Sequence, residues 1–443
     1  MTRTLTFILL IFYLSVNAFS QTVVDSSAYN ASPQLVDSIK VTGNDITEEF
    51  IILRELTFGV GDTVTLKTLN YNEERIFSLG IFNKVELKIE KENGKNILNI
   101  IVEESWYIYP IPFAELENSD WSKLSYGIVV LIKNFRGRNE TLEGKVKLGY
   151  DPAFSIEYYN PSLLFRSNIF LNAAVAYGTT KNRSKIAKAI YGDDFDYTYV
   201  TDLFGIGYRI NTFNWASMDV GYDYHEAPNY FKGITASDGR IDKVLSLGIK
   251  YNYDTRDLVQ FPREGTYFSY YMQFKGLGIN DIDYRVFTID LREYWKLVGD
   301  LSGKIRLTTR QTAGRLIPYY DYSFLGFEEA VRGHFSTERE GNNYYLGSIE
   351  FNHPIVKDVN VSLDFIPILP RKLLSFRLGL YAELFADMGT TQFRGEPIRL
   401  RDFDKGYGAG LSLLLLPYNL ARLELAFDEF GNSEFIFGLG TSF

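Results

Sequence analysis

The residues with the most distinctive chemistry are one arginine in a turn and two acids in later strands. Arg332 stands in the turn Val331–His334, Glu350 lies in the strand that follows this turn, and Asp387 ends the segment LGLYAELFAD. An arginine keeps its charge and carries five donors in a planar fork. A buried guanidinium needs acids or carbonyls to offset its desolvation. The spacing therefore suggests a buried ion-pair site, in which Gly333 supplies a backbone angle that other residues avoid.

Two interpretations of this constellation stay open from the residues alone. In the first, Arg332 reaches inward, and Glu350 and Asp387 on nearby strands anchor its guanidinium bidentately. Removing one partner of such a buried pair costs about 3–5 kcal/mol. In the second, Arg332 lies on a solvated loop, where an ion pair is worth about 0–1 kcal/mol.

Other candidates for chemistry are weaker. The histidines His225, His334 and His353 have no metal-ligand spacing with one another. The acidic run 192–196 lacks the spacing and glycine of a calcium loop. The basic run 181–188 is either a contact for lipopolysaccharide phosphates or a solvated loop face. We find no nucleophile elbow, phosphate loop or catalytic constellation. The sequence therefore predicts a protein that is not an enzyme and that uses no metal or cofactor.

Composition narrows the class of protein. The 443 residues carry a net charge of -9, which argues against nucleic acid as a partner, because a phosphate-binding face needs clustered Lys and Arg. Aromatic residues make up 16% of the chain, which suits girdles at a membrane interface, although ordinary all-β proteins also favour Tyr and Phe. The absence of cysteine excludes disulfides, thiolate catalysis, cysteine metal sites and a lipoprotein anchor.

The chain begins with an export signal. Residues 1–20 combine Arg3, an apolar run and a small-x-small cleavage site, and residues 21–34 form a polar linker. No later apolar run reaches the roughly 18 residues that a spanning helix needs. The exported protein is therefore either soluble outside the inner membrane or crosses a membrane as a closed barrel.

Residues 35–105 predict a small α+β domain. The order is strand, helix, helix, strand, strand, and Asn93-Gly94 predicts a hairpin turn between the last two strands. This order, together with the passage SLGIFNKVELKI, resembles a POTRA domain, the periplasmic module that precedes outer-membrane assembly barrels. The resemblance implies an exposed strand edge that pairs with extended clients. The alternative is a spacer that only positions the rest of the chain.

Residues 106–123 are expected to be a connector. Their two tryptophans and two tyrosines, with Pro110 and Pro112, suggest a hinge at the membrane interface or a proline-rich loop.

Residues 124–443 predict strands alone. At roughly 20 residues for a strand and its connection, they give about sixteen strands, an even number that suits a barrel. One face of the last strand is apolar and consists of Phe435, Phe437, Leu439 and Phe443. The strand that holds Asp387 has charged residues on the face opposite to its own apolar face. A barrel with a polar lumen requires this alternation; a soluble sandwich would also show it, with the charged face wet. The terminal Phe443 resembles the end signal of outer-membrane strands.

Several motifs resemble the BamA/TamA outer-membrane superfamily. They are the run NFRGRN at 134–139, the run YNYDTRDLVQFPREGTYFSYY at 251–271, the Val-Arg-Gly turn at 331–333, and the segments SIEFNHPI and FADMG. The chain departs from the family pattern in lacking paired glycines before the turn and in having His334 where an aromatic residue is common.

The resemblance implies an all-β transmembrane barrel of about 16 antiparallel strands, preceded by one small α+β POTRA-like domain in the periplasm. It implies that the acids Glu350 and Asp387 meet Arg332 inside the barrel. The expected partners are the outer-membrane lipid bilayer, client outer-membrane or secreted polypeptides, and periplasmic chaperones or accessory proteins. The expected activity is insertion or translocation of a client through a weak seam between the first and last strands, which Gly438 and Gly440 would help to weaken. The alternatives are a passive pore and a dedicated exporter of one partner.

Overall fold

The computed structural model describes residues 33–116, 121–192, 195–326, 329–335, 337–363 and 370–440. The expected export signal, nearly all of the linker, the centre of the acidic run and Phe443 lie outside the described residues. Within those residues, no helix combines the length and apolar character that crossing a membrane requires.

The N-terminal domain has the predicted order of main elements. Its α2 begins after Thr65, whose hydroxyl accepts a hydrogen bond from the Thr68 amide at 3.2 Å. Its last two strands meet at a turn in which Asn93 and Gly94 both have positive φ, as a two-residue hairpin requires. The main sheet has the order β2-β5-β4. The elements are β1 (Gln34–Leu35), β2 (Ser38–Thr42), α1 (Glu49–Leu53), β3 (Thr63–Val64), α2 (Leu66–Phe77), β4 (Phe82–Glu92) and β5 (Lys95–Glu104).

In the described part of the rest of the chain, sixteen strands form one antiparallel sheet. Strands that follow one another in the chain are neighbours, except that β17 and β18 form a separate hairpin between β16 and β19. The elements are β6 (Ile108–Leu116), β7 (Leu124–Phe135), β8 (Glu140–Gly149), β9 (Ala153–Asn160), β10 (Ile169–Lys181), α3 (Lys185–Tyr191), β11 (Asp196–Arg209), β12 (Asn214–Glu226), β13 (Ile241–Asp254), β14 (Gly265–Lys275), β15 (Tyr284–Lys296), β16 (Ser302–Gly314), β17 (Ser323–Leu325), β18 (Arg339–Gly341), β19 (Asn343–Ser362), α4 (Arg371–Leu374), β20 (Ser375–Gln392), β21 (Asp404–Leu416), β22 (Asn419–Asp428) and β23 (Ser433–Leu439).

The predicted connector 106–123 is wrong over half of its length, because Ile108–Leu116 forms β6, the first strand of the sheet. Pro110 and Pro112 argued against a strand, since proline cannot donate to a ladder. However, β6 lies at an end of the sheet and pairs only with β7, and an edge strand tolerates prolines whose missing N–H points away from its neighbour.

Side chains alternate along each strand between the two faces of the sheet. The outer face is apolar, and the inner face carries the charged side chains. On the last strand Phe435, Phe437 and Leu439 are 72%, 63% and 63% exposed. On β20, Glu383 and Asp387 are buried on the inner face. The predicted barrel of sixteen strands with a polar lumen is confirmed.

The N-terminal domain packs against one end of the barrel, which we call the domain end. Phe77 of α2 belongs to the same buried apolar cluster as Leu258 and Phe261, which lie in the turn between β13 and β14. Polar contacts reach five further turns and strand ends. They are Glu48 N to Gly137 O (2.8 Å), Arg54 Nη1 to Pro161 O (3.1 Å), Arg209 Nη1 to Glu55 Oε1 (2.6 Å), Asn83 Nδ2 to Lys372 O (2.7 Å) and Tyr418 Oη to Asn83 Oδ1 (3.2 Å).

Candidate functional site

The connection between β16 and β19 folds into the barrel. Val331 packs in a buried apolar cluster with Leu325 of β17 and with Leu346 of β19. Glu329 receives two hydrogen bonds from Arg306 on β16, at 2.6 and 2.7 Å. These contacts hold the next turn, Val331–His334, inside the lumen.

Within this turn Arg332 is 5% exposed and bonds most extensively to Asp387. Its Nε donates to Oδ2 at 2.7 Å, its Nη2 donates to Oδ1 at 2.8 Å, and its backbone amide donates to Oδ2 at 3.1 Å. Both carboxylate oxygens are therefore used, in the bidentate geometry that only arginine offers.

Two further acids meet the remaining terminal nitrogen. Arg332 Nη1 donates to Glu350 Oε2 at 3.0 Å and to Glu424 Oε1 at 2.8 Å. Each of these acids has a second cationic partner: Lys304 lies 2.7 Å from Glu350, and Arg422 lies 2.8 Å from Glu424. The structure thus brings Arg332, Glu350 and Asp387 together in a buried network with a third acid, and the solvated-loop interpretation does not describe it.

Glycines allow the turn to approach the strands closely. Gly333 has φ of +99°, a conformation that other residues rarely adopt. A Cβ on Gly406 of β21 would lie 1.7 Å from the carbonyl oxygen of Arg332. A Cβ on Gly389, the last residue of FADMG, would lie 2.8 Å from Val331 Cγ2. The backbone of the turn therefore lies directly against β21.

Sequence reasoning did not identify Glu424, Phe385 and Gly406 as parts of this site. The guanidinium carbon of Arg332 lies 3.7 Å from the centroid of the Phe385 ring, in a cation–π contact. Alternation places Glu424 on the face of Arg422, away from the apolar face of β22, and this was the available signal. Gly406, Gly408 and Gly410 recur every second residue, which marks one face of β21 as crowded.

His334 lies at the edge of the network. Its Nε2 lies 2.8 Å from Glu429 Oε2 and 3.2 Å from the Lys405 carbonyl oxygen. His334, Asp404 and Glu429 place one ligand atom each within 4.8 Å of the others. Because Asp404 is already bonded to Arg339 at 2.5 Å, we assign no metal to this group.

The two ends of the sheet, β6 and β23, flank a seam. The described residues of these two strands share no ladder of hydrogen bonds. The ends nevertheless approach each other at the domain end, where Tyr109 of β6 contacts Tyr418 in the turn between β21 and β22, with ring centroids 6.0 Å apart. Gly438 of β23 makes room for Arg422, since a Cβ there would lie 2.8 Å from Arg422 Nη2.

Comparison with known proteins agrees with this architecture. Residues 134–443 match the family described as Omp85 superfamily domain, and residues 35–105 match the POTRA family described as surface antigen variable number repeat. No curated protein sequence matches the chain.

Solved structures with a similar fold include the following three. BamA from Haemophilus ducreyi lacking POTRA domains 1-3 is 15% identical, with a TM-score of 0.54 over 92% of this chain and 84% of that one. CdiB from Escherichia coli is 12% identical, with a TM-score of 0.55 over 92% and 75%. CdiB from Acinetobacter baumannii is 13% identical, with a TM-score of 0.50 over 92% and 73%. At these identities the similarity concerns the fold alone.

A sixteen-stranded barrel with an apolar exterior, a charged lumen and one preceding domain defines an outer-membrane barrel. The chain belongs to the Omp85 superfamily and carries one POTRA repeat, as the sequence predicted. Its barrel lies in the outer membrane with the N-terminal domain in the periplasm, and proteins of this superfamily act on client polypeptides by insertion or translocation.

Proposed function

We propose that this protein inserts client β-strands into the outer membrane through the seam between β6 and β23. The observation that carries this proposal is that β6 and β23 share no ladder of hydrogen bonds over their described residues. Every other neighbouring pair in the sheet is hydrogen-bonded; β10 and β11, for example, are in register over Ile169–Lys181. Hydrocarbon offers no partners for backbone groups, so an open edge in the membrane is stabilised by an incoming strand.

Docking of the N-terminal domain at the domain end favours lateral insertion over passage along the barrel axis. The N-terminal domain contacts turns on several sides of this end, including Gly137 after β7, Pro161 after β9 and Lys372 before β20. A client that travelled along the axis would have to displace this domain. A client that used the seam would enter from the side.

In this proposal the Arg332 network braces the barrel wall beside the seam. Its acids come from β19, β20 and β22, and the strand after β22 is β23 itself. The same loop also reaches β23, where the Phe335 amide donates to Glu434 at 3.0 Å. Opening at the seam can then occur while the strands on the C-terminal side keep their arrangement.

The N-terminal domain would receive the client before insertion. Its strand β2 pairs with β5 on one side only and leaves the other edge open within the described residues. An extended client, or the chaperone or accessory protein that delivers it, would pair with this edge.

Locking the seam tests the proposal. The natural chain has no cysteine, so Ile108→Cys with Leu439→Cys would introduce one defined disulfide near the domain end. The strain would depend on this protein alone, and its outer membrane would be compared by proteomics under oxidising and reducing conditions. We expect a general loss of barrel proteins that reduction restores, and each single-cysteine variant serves as a control.

The other outcomes separate the alternatives. Loss of one secreted or surface protein would indicate a dedicated exporter. No loss after depletion of the protein would indicate a passive pore. Unchanged insertion by the fully locked protein would rule out the seam.

A further inference from the structure

We infer that a cavity between the N-terminal domain and the barrel wall binds a small organic anion, in which one acidic group is joined to an aromatic or apolar body. The cavity has a volume of about 640 Å³. The domain contributes Arg54 and Arg75 to its floor, and the inner faces of β9 to β14 form its wall. Small-molecule sites have volumes of roughly 300–1,000 Å³. Binding at this cavity does not depend on the insertion of clients, so the inference goes beyond the proposed function.

The wall of the cavity is aromatic. Tyr159, Phe170 and Trp215 face inward from β9, β10 and β12, and their rings follow one another with centroids 6.2 and 5.4 Å apart. Tyr159 is 41% exposed although it faces inward, because it borders the cavity. A Cβ on Gly207 of β11 would lie 2.0 Å from Cζ of Phe170, so this glycine lets the Phe170 ring lie across the strand. The wall therefore offers a continuous surface on which a flat apolar ligand can stack.

Positive charge exceeds negative charge around the cavity. Five cationic side chains and three acidic ones line it, namely Arg54, Arg75, Arg209, Lys250 and Arg256, and Glu55, Asp219 and Asp254. Asp254 is already bonded to Arg256, with Nη2 to Oδ2 at 2.7 Å. An enclosed space with an excess of cations attracts an anion, because low-dielectric walls concentrate its field.

The two arginines of the floor are incompletely paired. Arg209 of the barrel uses both oxygens of Glu55, at 2.6 and 2.9 Å, and Arg75 shares one of these oxygens at 3.2 Å. Arg75 Nε is buried and has no hydrogen-bond partner in the described part of the chain. Arg54 donates to the Pro161 carbonyl at 3.1 Å, and burial together with the charge of Arg209 lowers the pKa of Arg54. One glutamate thus faces three guanidinium groups, and an acidic ligand group would offset their repulsion.

Lys250 of β13 places a further charge directly beside the aromatic wall. Its Nζ lies 5.5 Å from the ring centroid of Trp215 and 5.8 Å from that of Tyr271. Among the described residues Lys250 forms no ion pair, and the nearby Asp219 accepts a hydrogen bond from Tyr271 at 3.0 Å. A ligand that stacks on Trp215 can therefore direct its acidic group at Lys250, which is why we assign a ring and an anion to the same molecule.

The site joins two parts of the protein. Arg54 and Arg75 belong to the N-terminal domain, whereas Arg209 and Lys250 belong to the barrel. A bound anion contacts cations on both sides and offsets the repulsion between Arg54 and Arg209, so it stabilises the docked domain.

Calorimetric titration tests the assignment. The probe is 2-naphthoate, which joins one carboxylate to a flat apolar ring, and it is titrated into the full-length protein in zwitterionic detergent. We expect one saturable site whose affinity falls about tenfold in Lys250→Met, because one charge-assisted contact is lost. Lys250 lies on the barrel wall and contacts barrel rings, so this variant keeps the docking contacts. The matched control is Lys147→Met on β8, whose side chain is 20% exposed and lies outside the cavity; its affinity should be unchanged.

Two comparison ligands separate the contributions of ring and charge. The alcohol 2-naphthylmethanol has the ring without the charge, and inorganic phosphate has the charge without the ring. Both should bind at least tenfold more weakly than 2-naphthoate. Equal binding of either one, the same naphthoate affinity in Lys250→Met, or no saturable binding of naphthoate would overturn the inference.

Spin-label distances test the link to docking. With labels on the domain and on the barrel, 2-naphthoate should narrow the distance distribution of the otherwise natural protein, and Lys250→Met should abolish this narrowing at the same ligand concentration. A distribution that naphthoate leaves unchanged while calorimetry shows binding would contradict the bridging of domain and barrel.

Discussion

Replacing Asp387 by asparagine measures how strongly the Arg332 network holds its loop. Asp387 uses both carboxylate oxygens for the guanidinium and also accepts from the backbone amide of Arg332. An asparagine side chain has the same shape as aspartate, but its NH2 group would face one of the N–H donors of Arg332. One hydrogen bond is therefore lost, together with the negative charge. Breaking a buried pair in this way costs about 3–5 kcal/mol.

The geometry also predicts a smaller effect at Glu424. Both Arg332 and Arg422 donate to the same oxygen of Glu424, at 2.8 Å each, and its other oxygen has no hydrogen-bond partner in the described part of the chain. The amide oxygen of a glutamine can accept both bonds. We therefore expect Glu424→Gln to lower the free energy of unfolding by roughly 1–2 kcal/mol.

The assay is urea unfolding of the refolded barrel in detergent micelles, followed by tryptophan fluorescence and by migration in unheated gels. A double-mutant cycle of Arg332→Ala and Asp387→Ala isolates the coupling between the two side chains. The control is Asp300→Asn, whose partner Lys357 lies 2.7 Å away in an exposed pair worth about 0–1 kcal/mol. Equal losses at Asp387 and Glu424, or a coupling energy within error of zero, would refute the reasoning.

Two further predictions concern docking and packing. Burial alone would raise the pKa of Glu55, but the charges of Arg209, Arg75 and Arg54 lower it below its usual range. Of these three arginines only Arg209 lies on the barrel, so its share of the lowering stabilises the docked state; this contribution is fully present above the pKa that Glu55 has in the undocked domain and is lost as pH falls through the lower, docked value. Spin-label distances between the domain and the barrel should lengthen on acidification, and a pH-independent distance would contradict this. Gly406→Ala should destabilise the barrel by about 1–3 kcal/mol or more in the urea assay, because its Cβ would overlap the Arg332 carbonyl. The control Gly144→Ala, where a Cβ meets nothing within 4 Å, should change little.

The sequence predicted the barrel well because alternation is a local property. Side chains of a strand point to opposite faces in turn, so the inward position of Asp387 and the outward position of Phe437 can be obtained from counting alone. The boundary error at β6 has an equally local cause. Pro110 and Pro112 would interrupt a central strand, but an edge strand tolerates them. No local sequence pattern indicates that β6 has a neighbour on one side only.

Long-range contacts could not be predicted in the same way. Counting places Glu424 inward, but nothing within β22 indicates that a loop between β16 and β19 extends as far as that strand. Docking of the N-terminal domain could not be predicted for the same reason, since the ion pair of Glu55 and Arg209 joins residues that are 154 positions apart in the sequence. Such contacts depend on how the whole sheet curves.

The positions of these contacts couple the domain end to the seam. Glu48 bonds to Gly137 in the turn after β7, which lies on the N-terminal side of the seam. Asn83 bonds to Tyr418 in the turn between β21 and β22, on the C-terminal side, and Tyr418 in turn contacts Tyr109 of β6. The docked domain therefore joins both flanks of the one place in the sheet where no described ladder resists separation. Under the proposed function, widening the seam at this end would strain these two attachments, so we expect undocking of the domain to accompany opening for a client.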